Sequence, residues 1–209
     1  MSRRLVIFDF DGTLADSFPW FLSVLNTVAR RHGLHMPGAA EVEALRLLGT
    51  REILQRMRVP AWKLPAIIRD MRALKAEAAG SIPLFPGIPE MLRGLGEGGV
   101  RLAVASSDSE ASIRRTLGSA AAPIGYFACG ASLFGKAAKL RQVLRAMDAP
   151  AEAAIYVGDE TRDAEAAARA GIAFGAVNWG YAAPAALLAL GPRQVFASPA
   201  EILDLLREA

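Results

Sequence analysis

The chain has 209 residues, which suits one large domain or a domain carrying a smaller insert, and it can bury a core without disulfides or a structural metal. With 53% apolar and 22% charged residues it has the profile of a soluble globular protein, which excludes disorder of the whole chain. The formal net charge is only +3 and no run of five or more like charges occurs, so nothing calls for a nucleic-acid or anionic-membrane partner.

Alanine fills 41 positions, which favours helix. The single cysteine, Cys129, sits among small and apolar neighbours and reads as a small buried filler. One cysteine excludes an intrachain disulfide and a cysteine-rich zinc site, and it suits a reducing cytoplasm. Met1-Ser2-Arg3-Arg4 resembles the start of a signal peptide, but the apolar run Leu5–Phe8 stops at Asp9, too short for a signal core.

Leu5–Phe8 has the continuous apolar character of a buried parallel strand. From Phe18, apolar residues recur at Phe21, Leu22, Leu25 and Val28, a helical spacing that ends near Gly33. Residues 34 to 82 continue with helical spacings (Val42, Leu45, Leu48; Ile53, Leu54, Met57; Leu64, Ile67, Ile68, Met71, Leu74) and no convincing strand. Pro83–Pro86 reads as a linker, after which helix and strand alternate to the end: helix 89–96, strand 100–105, helix 110–118, strand 126–129, helix 136–147, strand 154–157, helix 163–170, strand 172–177, a shorter helix and strand, and a helix from Pro199. No residue between Arg169 and Arg193 is charged, but glycines, Pro184 and Asn178 divide that stretch into soluble elements rather than a membrane span. Alternating βα units predict an α/β fold, a Rossmann-like parallel sheet with helices on both faces, and residues 15–82 an all-helical insert. The expected division is a core of residues 1–14 and 83–209 with a helical cap of 15–82.

In such sheets ligands bind beyond the carboxyl ends of the strands. Asp9, Asp11, Ser106, Ser107 and Asp159 each follow an apolar run. Asp9-Phe10-Asp11-Gly12-Thr13 places two carboxylates two residues apart, close enough to raise each other's pKa unless a cation intervenes. An ordinary strand ending in an Asp-Gly turn shows the same residues. Asp159 and Asp163, four apart after Gly158, share a face of any helical turn, although Asp159 alone also reads as a helix cap. Together the two motifs offer an oxygen shell of the Mg2+ type. Ser106 and Ser107 lie where a following helix favours an anion, and ordinary N-capping by Ser107 or Asp108 accounts for them equally well. Lys136 opens a helix against the macrodipole, which suggests a cation reaching toward the acidic groups; Lys139 competes for that role.

Asp9-x-Asp11-Gly-Thr13, Ser106, Lys136 and Gly158-Asp159-x3-Asp163, in that order, resemble the four motifs of the haloacid dehalogenase-like hydrolase superfamily. The helical insert, Phe85-Pro86-Gly87 and Asn178-Trp179-Gly180-Tyr181 resemble its phosphoglycolate phosphatase and β-phosphoglucomutase group. The resemblance implies a Mg2+-dependent phosphatase of small phosphorylated metabolites. Asp9 is then the nucleophile and Asp11 the acid and base. Ser106, Ser107 and Lys136 hold the phosphoryl group, and Thr13 orients Asp11. The metal falls to Asp9, the Asp11 carbonyl, Asp159 and Asp163. Asp11 favours phosphate esters over halides, and neither insert lysine, Lys63 or Lys75, sits where phosphonate hydrolases of this fold carry theirs. A phosphomutase shares every motif; a catalytically silent member would have lost some of them. Asp108 departs from the pattern and is expected to cap the following helix. In the insert, Arg46 and Arg51 are candidates to face the substrate, Trp20 and Phe21 to line the entrance, and His32 and His35 to serve packing. A monomer or homodimer in the cytoplasm, with no membrane partner, completes the expectation.

Overall fold

The computed structural model describes residues 4–130 and 135–207. Met1, Ser2 and Arg3, read above as a possible signal start, lie outside the described residues.

The chain runs β1 (Leu5–Phe8), α1 (Phe18–His32), α2 (Ala39–Leu45), α3 (Thr50–Arg56), α4 (Leu64–Ala78), α5 (Ile88–Glu97), β2 (Arg101–Ala105), α6 (Glu110–Leu117), β3 (Ile124–Ala128), α7 (Lys136–Ala146), β4 (Ala154–Gly158), α8 (Thr161–Ala170), β5 (Ala173–Val177), α9 (Pro184–Leu188), β6 (Gln194–Phe196) and α10 (Pro199–Ile202). The six strands form one parallel sheet in the order β3-β2-β1-β4-β5-β6. β1 is central, with β2 on one side and β4 on the other, so the chain leaves it in both directions. That reversal opens a crevice at the carboxyl end of β1, where Asp9 follows.

The period of two along each strand divides the core. Val6 and Phe8 face one layer with Leu102, Val104, Ile155 and Val157, covered by Ile88, Leu92 and Leu95 of α5 and Ile202 of α10. Leu5 and Ile7 face the other with Ala103, Tyr156 and Phe174, covered by Leu140 and Val143 of α7 and Ala166 and Ala167 of α8. All four β1 residues are completely buried. Burial of this kind contributes about 1.5–3 kcal/mol per large side chain, as an upper estimate.

α1 to α4 are packed differently. Pro19 starts α1, and Gly33 ends it in the left-handed conformation at φ 61°. α1 meets α4, where Asp70 accepts from Arg31 at 3.0 Å and pairs with His32 at 3.1 Å, and Lys63 donates to the His32 carbonyl at 2.6 Å. His35 is exposed and pairs with Glu41 at 3.2 Å on the surface, so of the two histidines only His32 is packed between helices. No residue of α3 or α4 is fully buried, and Val28, Ala29, Pro37 and Leu45 are the buried positions between 18 and 78. The apolar stripes of these helices instead surround an open interior. No described helix is long and apolar enough to cross a membrane.

Candidate active site

The side chains gather at the carboxyl ends of β1, β2 and β4. Asp9 leaves the sheet with its N–H donating to the Val157 carbonyl at 2.8 Å. The chain then turns at Gly12, in the left-handed region at φ 72°, where a Cβ would overlap the Asp159 carboxylate and the Tyr181 ring. Asp9, Asp159 and Asp163 are buried and bring a carboxylate oxygen each to within 4.8 Å of one another.

Lys136, at the first position of α7, donates to Asp9 Oδ2 at 2.6 Å and Asp163 Oδ1 at 2.5 Å. Burial works against its charge, but Asp163 and Asp9 outweigh that and raise its pKa. Lys139 does not enter this cluster. It donates to the carbonyls of Ser106 and Gly130, tying the loops after β2 and β3 together, and burial lowers its pKa.

One ammonium among three carboxylates leaves the cluster short of positive charge. Burial pushes the Asp9 carboxyl up to about 7, although Lys136 pulls the other way. Burial, with Glu160 and Asp163 nearby, raises Asp159 well above the usual carboxylate range. A hard, compact, oxygen-only donor set with surplus negative charge fits Mg2+.

Asp159 is held on several sides. Its Oδ1 accepts from the Thr13 hydroxyl at 2.8 Å, and its Oδ2 from the Tyr181 N–H at 2.7 Å. Thr13 was expected to orient Asp11; the turn at Gly12 carries it across to Asp159 instead. Asp163 accepts from the N–H groups of Asp159 at 3.2 Å and Glu160 at 3.0 Å, and from the Tyr156 hydroxyl at 3.3 Å.

Asp11 lies apart from that triad. Its carboxylate pairs with Lys75 of α4, which also meets Asp108 Oδ2 at 2.7 Å. The expectation that Asp108 caps α6 is overturned: Ser109 is the cap, its Oγ accepting from the Ser112 N–H at 3.2 Å, so Asp108 is left to turn toward Lys75. Burial and then Asp11 raise the Asp108 pKa, while Lys75 lowers it. Ser106 is buried, with its Oγ accepting from the Asp108 N–H at 3.1 Å, and Ser107 is half-buried on the same loop.

A cavity of about 410 Å3 opens from Asp11, Ser107, Asp108 and Lys75 into the interior of α1–α4, and Trp20 and Phe21 both line it. Arg46 lies on its wall, but its guanidinium is spent on the loop after β5: Nε donates to the Tyr181 carbonyl at 2.9 Å and Nη2 to the Gly180 carbonyl at 3.1 Å. Arg51 is exposed and is not among the residues lining the cavity, so it does not face the site as expected.

Local sequence reasoning missed Lys75 as a partner of Asp11, and the 178–182 loop as the clamp on Asp159. Within that loop Trp179 Nε1 donates to the Thr13 carbonyl at 3.1 Å, and the Tyr181 hydroxyl meets Ser17 Oγ at 3.0 Å. The signals for the loop were its aromatic and glycine content beyond a strand end and the resemblance of Asn178-Trp179-Gly180-Tyr181 to relatives, neither of which points to Asp159.

Comparison with known proteins places the chain among similar sequences and folds. A phosphoglycolate phosphatase from Synechococcus elongatus is 29% identical, over 96% of this chain and 96% of its own length. The tyrosine-protein kinase PtkA of Mycobacterium tuberculosis is 34% identical over 86% of this chain, which spans 64% of that longer relative. The fold superposes on a haloacid dehalogenase-like family hydrolase from Streptococcus pneumoniae with a TM-score of 0.80 at 22% identity, covering 97% of this chain and 98% of that one. The model of haloacid dehalogenase-like hydrolases matches residues 6–177, from the first strand to the end of β5, and the chain belongs to that family.

Proposed function

We propose that the protein is a Mg2+-dependent phosphatase that hydrolyses phosphate monoesters of small metabolites through an aspartyl-phosphate on Asp9. The observation that carries this reading is the buried cluster of Asp9, Asp159, Asp163 and Lys136, with Asp11 two residues after Asp9 and turned to Lys75 at the cavity. The relative named a phosphoglycolate phosphatase, similar over nearly its whole length, supports the same class of substrate.

Asp9 attacks phosphorus; the bond from phosphorus to the ester oxygen breaks, and Asp11 gives that oxygen its proton. Asp11, now a carboxylate, takes a proton from water. The water oxygen attacks phosphorus, the bond to Asp9 breaks, and orthophosphate leaves. Ser106, the Ser107 N–H and Lys136 hold the phosphoryl oxygens, while Thr13 and the Tyr181 N–H keep Asp159 in place. Asp9, the Asp11 carbonyl, Asp159 and Asp163 would hold Mg2+, which when bound would supply charge neutralisation for the transferring group. Positioning and charge neutralisation are the main demands of phosphoryl transfer. Residues 15–82 act as a cap that closes the site to water. A single cysteine suits work in the cytoplasm.

The test is phosphate release from an aryl phosphate, with Mg2+ and with EDTA, for the wild type and Asp9→Asn. Activity is expected to require Mg2+ and to fall by on the order of a thousandfold or more in the variant. Folded wild type that releases no more phosphate than the variant overturns the reading. Product analysis with a sugar phosphate separates hydrolysis from a phosphomutase reaction.

A further inference from the structure

The cavity above Asp11 is the feature that the hydrolytic reading leaves unexplained. Its mouth is polar, but its walls are not: Phe21, Leu25, Ile53, Met57, Ile68 and Met71 all face it. At about 410 Å3 it has the size of a small-molecule site. Apolar side chains that line a cleft rather than pack on one another make fewer contacts than those of a closed core, and a hydrocarbon group would supply the missing ones. The sheet core shows what these residue types do elsewhere in the chain, where Leu92, Val104 and Val157 are completely buried. The helices of the cap therefore hold their apolar faces apart rather than closing on one another.

The position of the cavity gives it a direction. Asp11, Ser107 and Lys75 line it, whereas Asp9, Asp159 and Asp163 do not. Asp11 protonates the departing oxygen, so the group attached to that oxygen extends from Asp11 into the cavity. Lys75 is already shared between Asp11 and Asp108, and Arg46 is engaged by two carbonyls. Arg72 lines the cavity as well, so the mouth carries both signs of charge, and what separates substrates is the apolar wall beyond it, which a short acid leaves unfilled.

We propose that the substrate is a phosphate monoester of a bulky apolar alcohol, with its hydrocarbon part in the cap cavity and its phosphoryl group against Asp9. This rests on the phosphatase reading and narrows it, away from short acidic substrates such as phosphoglycolate.

The experiment is a substrate series on the Mg2+-loaded wild type: methyl, butyl and octyl phosphate, with phosphoglycolate alongside. kcat/KM is expected to rise on the order of a hundredfold from methyl to octyl phosphate, with phosphoglycolate near the methyl value. Ile68→Trp, which fills the cavity, is expected to lower the octyl-to-methyl ratio at least about tenfold. A flat or falling series, or phosphoglycolate preferred over octyl phosphate, overturns the proposal. Calorimetric titration with octylphosphonate and methylphosphonate separates this failure from failure of the hydrolytic reading. If no ester is hydrolysed but the octyl compound binds on the order of thirtyfold tighter, the apolar site stands and hydrolysis falls. Equal affinities overturn the apolar site.

Discussion

Asp159 shows how a single carboxylate is fixed by residues that carry no charge. Thr13 and the Tyr181 N–H occupy its two oxygens, and Gly12 and Gly180 approach so closely that a Cβ on either would overlap its side chain. Gly180 lies three residues beyond the last residue of β5 and brings its backbone against Asp159 Cβ. In Gly180→Ala the loop must move, carrying the Tyr181 N–H with it. The expected loss is about 1–3 kcal/mol of stability, as in other overpacked sites, read from urea unfolding. The Mg2+ concentration for half-maximal activity is expected to rise at least about tenfold, because positioning partners of a metal ligand are worth that much in affinity. An unchanged urea midpoint would show that the loop yields freely and that the close approach has no role in holding Asp159.

At the scale of elements, the sheet and its helices follow directly from period and punctuation. β1 is apolar at every position because both faces are covered, and Gly33 and Gly171 end α1 and α8 in the left-handed conformation where the helical spacing stops. The acidic motifs are legible for the same reason: each follows a strand, and strand ends in a parallel sheet converge. Other placements depend on how α4 and the 178–182 loop approach the sheet, which no local pattern encodes. Lys75 meeting Asp11, Asp108 turning from the helix end toward Lys75, and Arg46 bracing a distant loop are all of this kind. The Arg46 strut makes a definite demand. The Ala183 N–H donates to the Arg46 carbonyl at 2.8 Å, and the guanidinium lies 5.3 Å from the Phe18 ring centre. Arg46→Ala removes two charge-assisted bonds between the helical block and the core, each worth about 1.5–3 kcal/mol locally. Both core clusters are untouched, so cooperative unfolding is expected to change little. Amide exchange across residues 178–182 is expected to speed up and KM to rise about tenfold. Unchanged exchange in that loop would show that the remaining contacts hold it alone.

For the whole molecule, a chain of net charge +3 concentrates surplus negative charge in its most buried polar site. Burial raises Asp9 to about 7 and Asp159 well above the usual range, so without a cation the folded protein retains protons that the unfolded chain has lost. A raised carboxyl pKa costs stability as pH climbs from the unfolded value near 4 through the folded one. A divalent cation held by the deprotonated carboxylates in the folded state alone would reverse the balance. At about a hundred times its dissociation constant it would add about 2.7 kcal/mol, which for a protein of this size corresponds to about 5–10 °C in Tm. Protons compete for the same oxygens, so the Mg2+-induced shift is expected to be large at pH 8 and clearly smaller at pH 6. Thermal unfolding at both pH values, with and without Mg2+, measures it, and Asp159→Asn is expected to abolish most of the pH 8 shift. Equal shifts at the two pH values, or a full shift retained in Asp159→Asn, would place the cation elsewhere and leave the buried carboxylates as a proton-sharing cluster around Lys136.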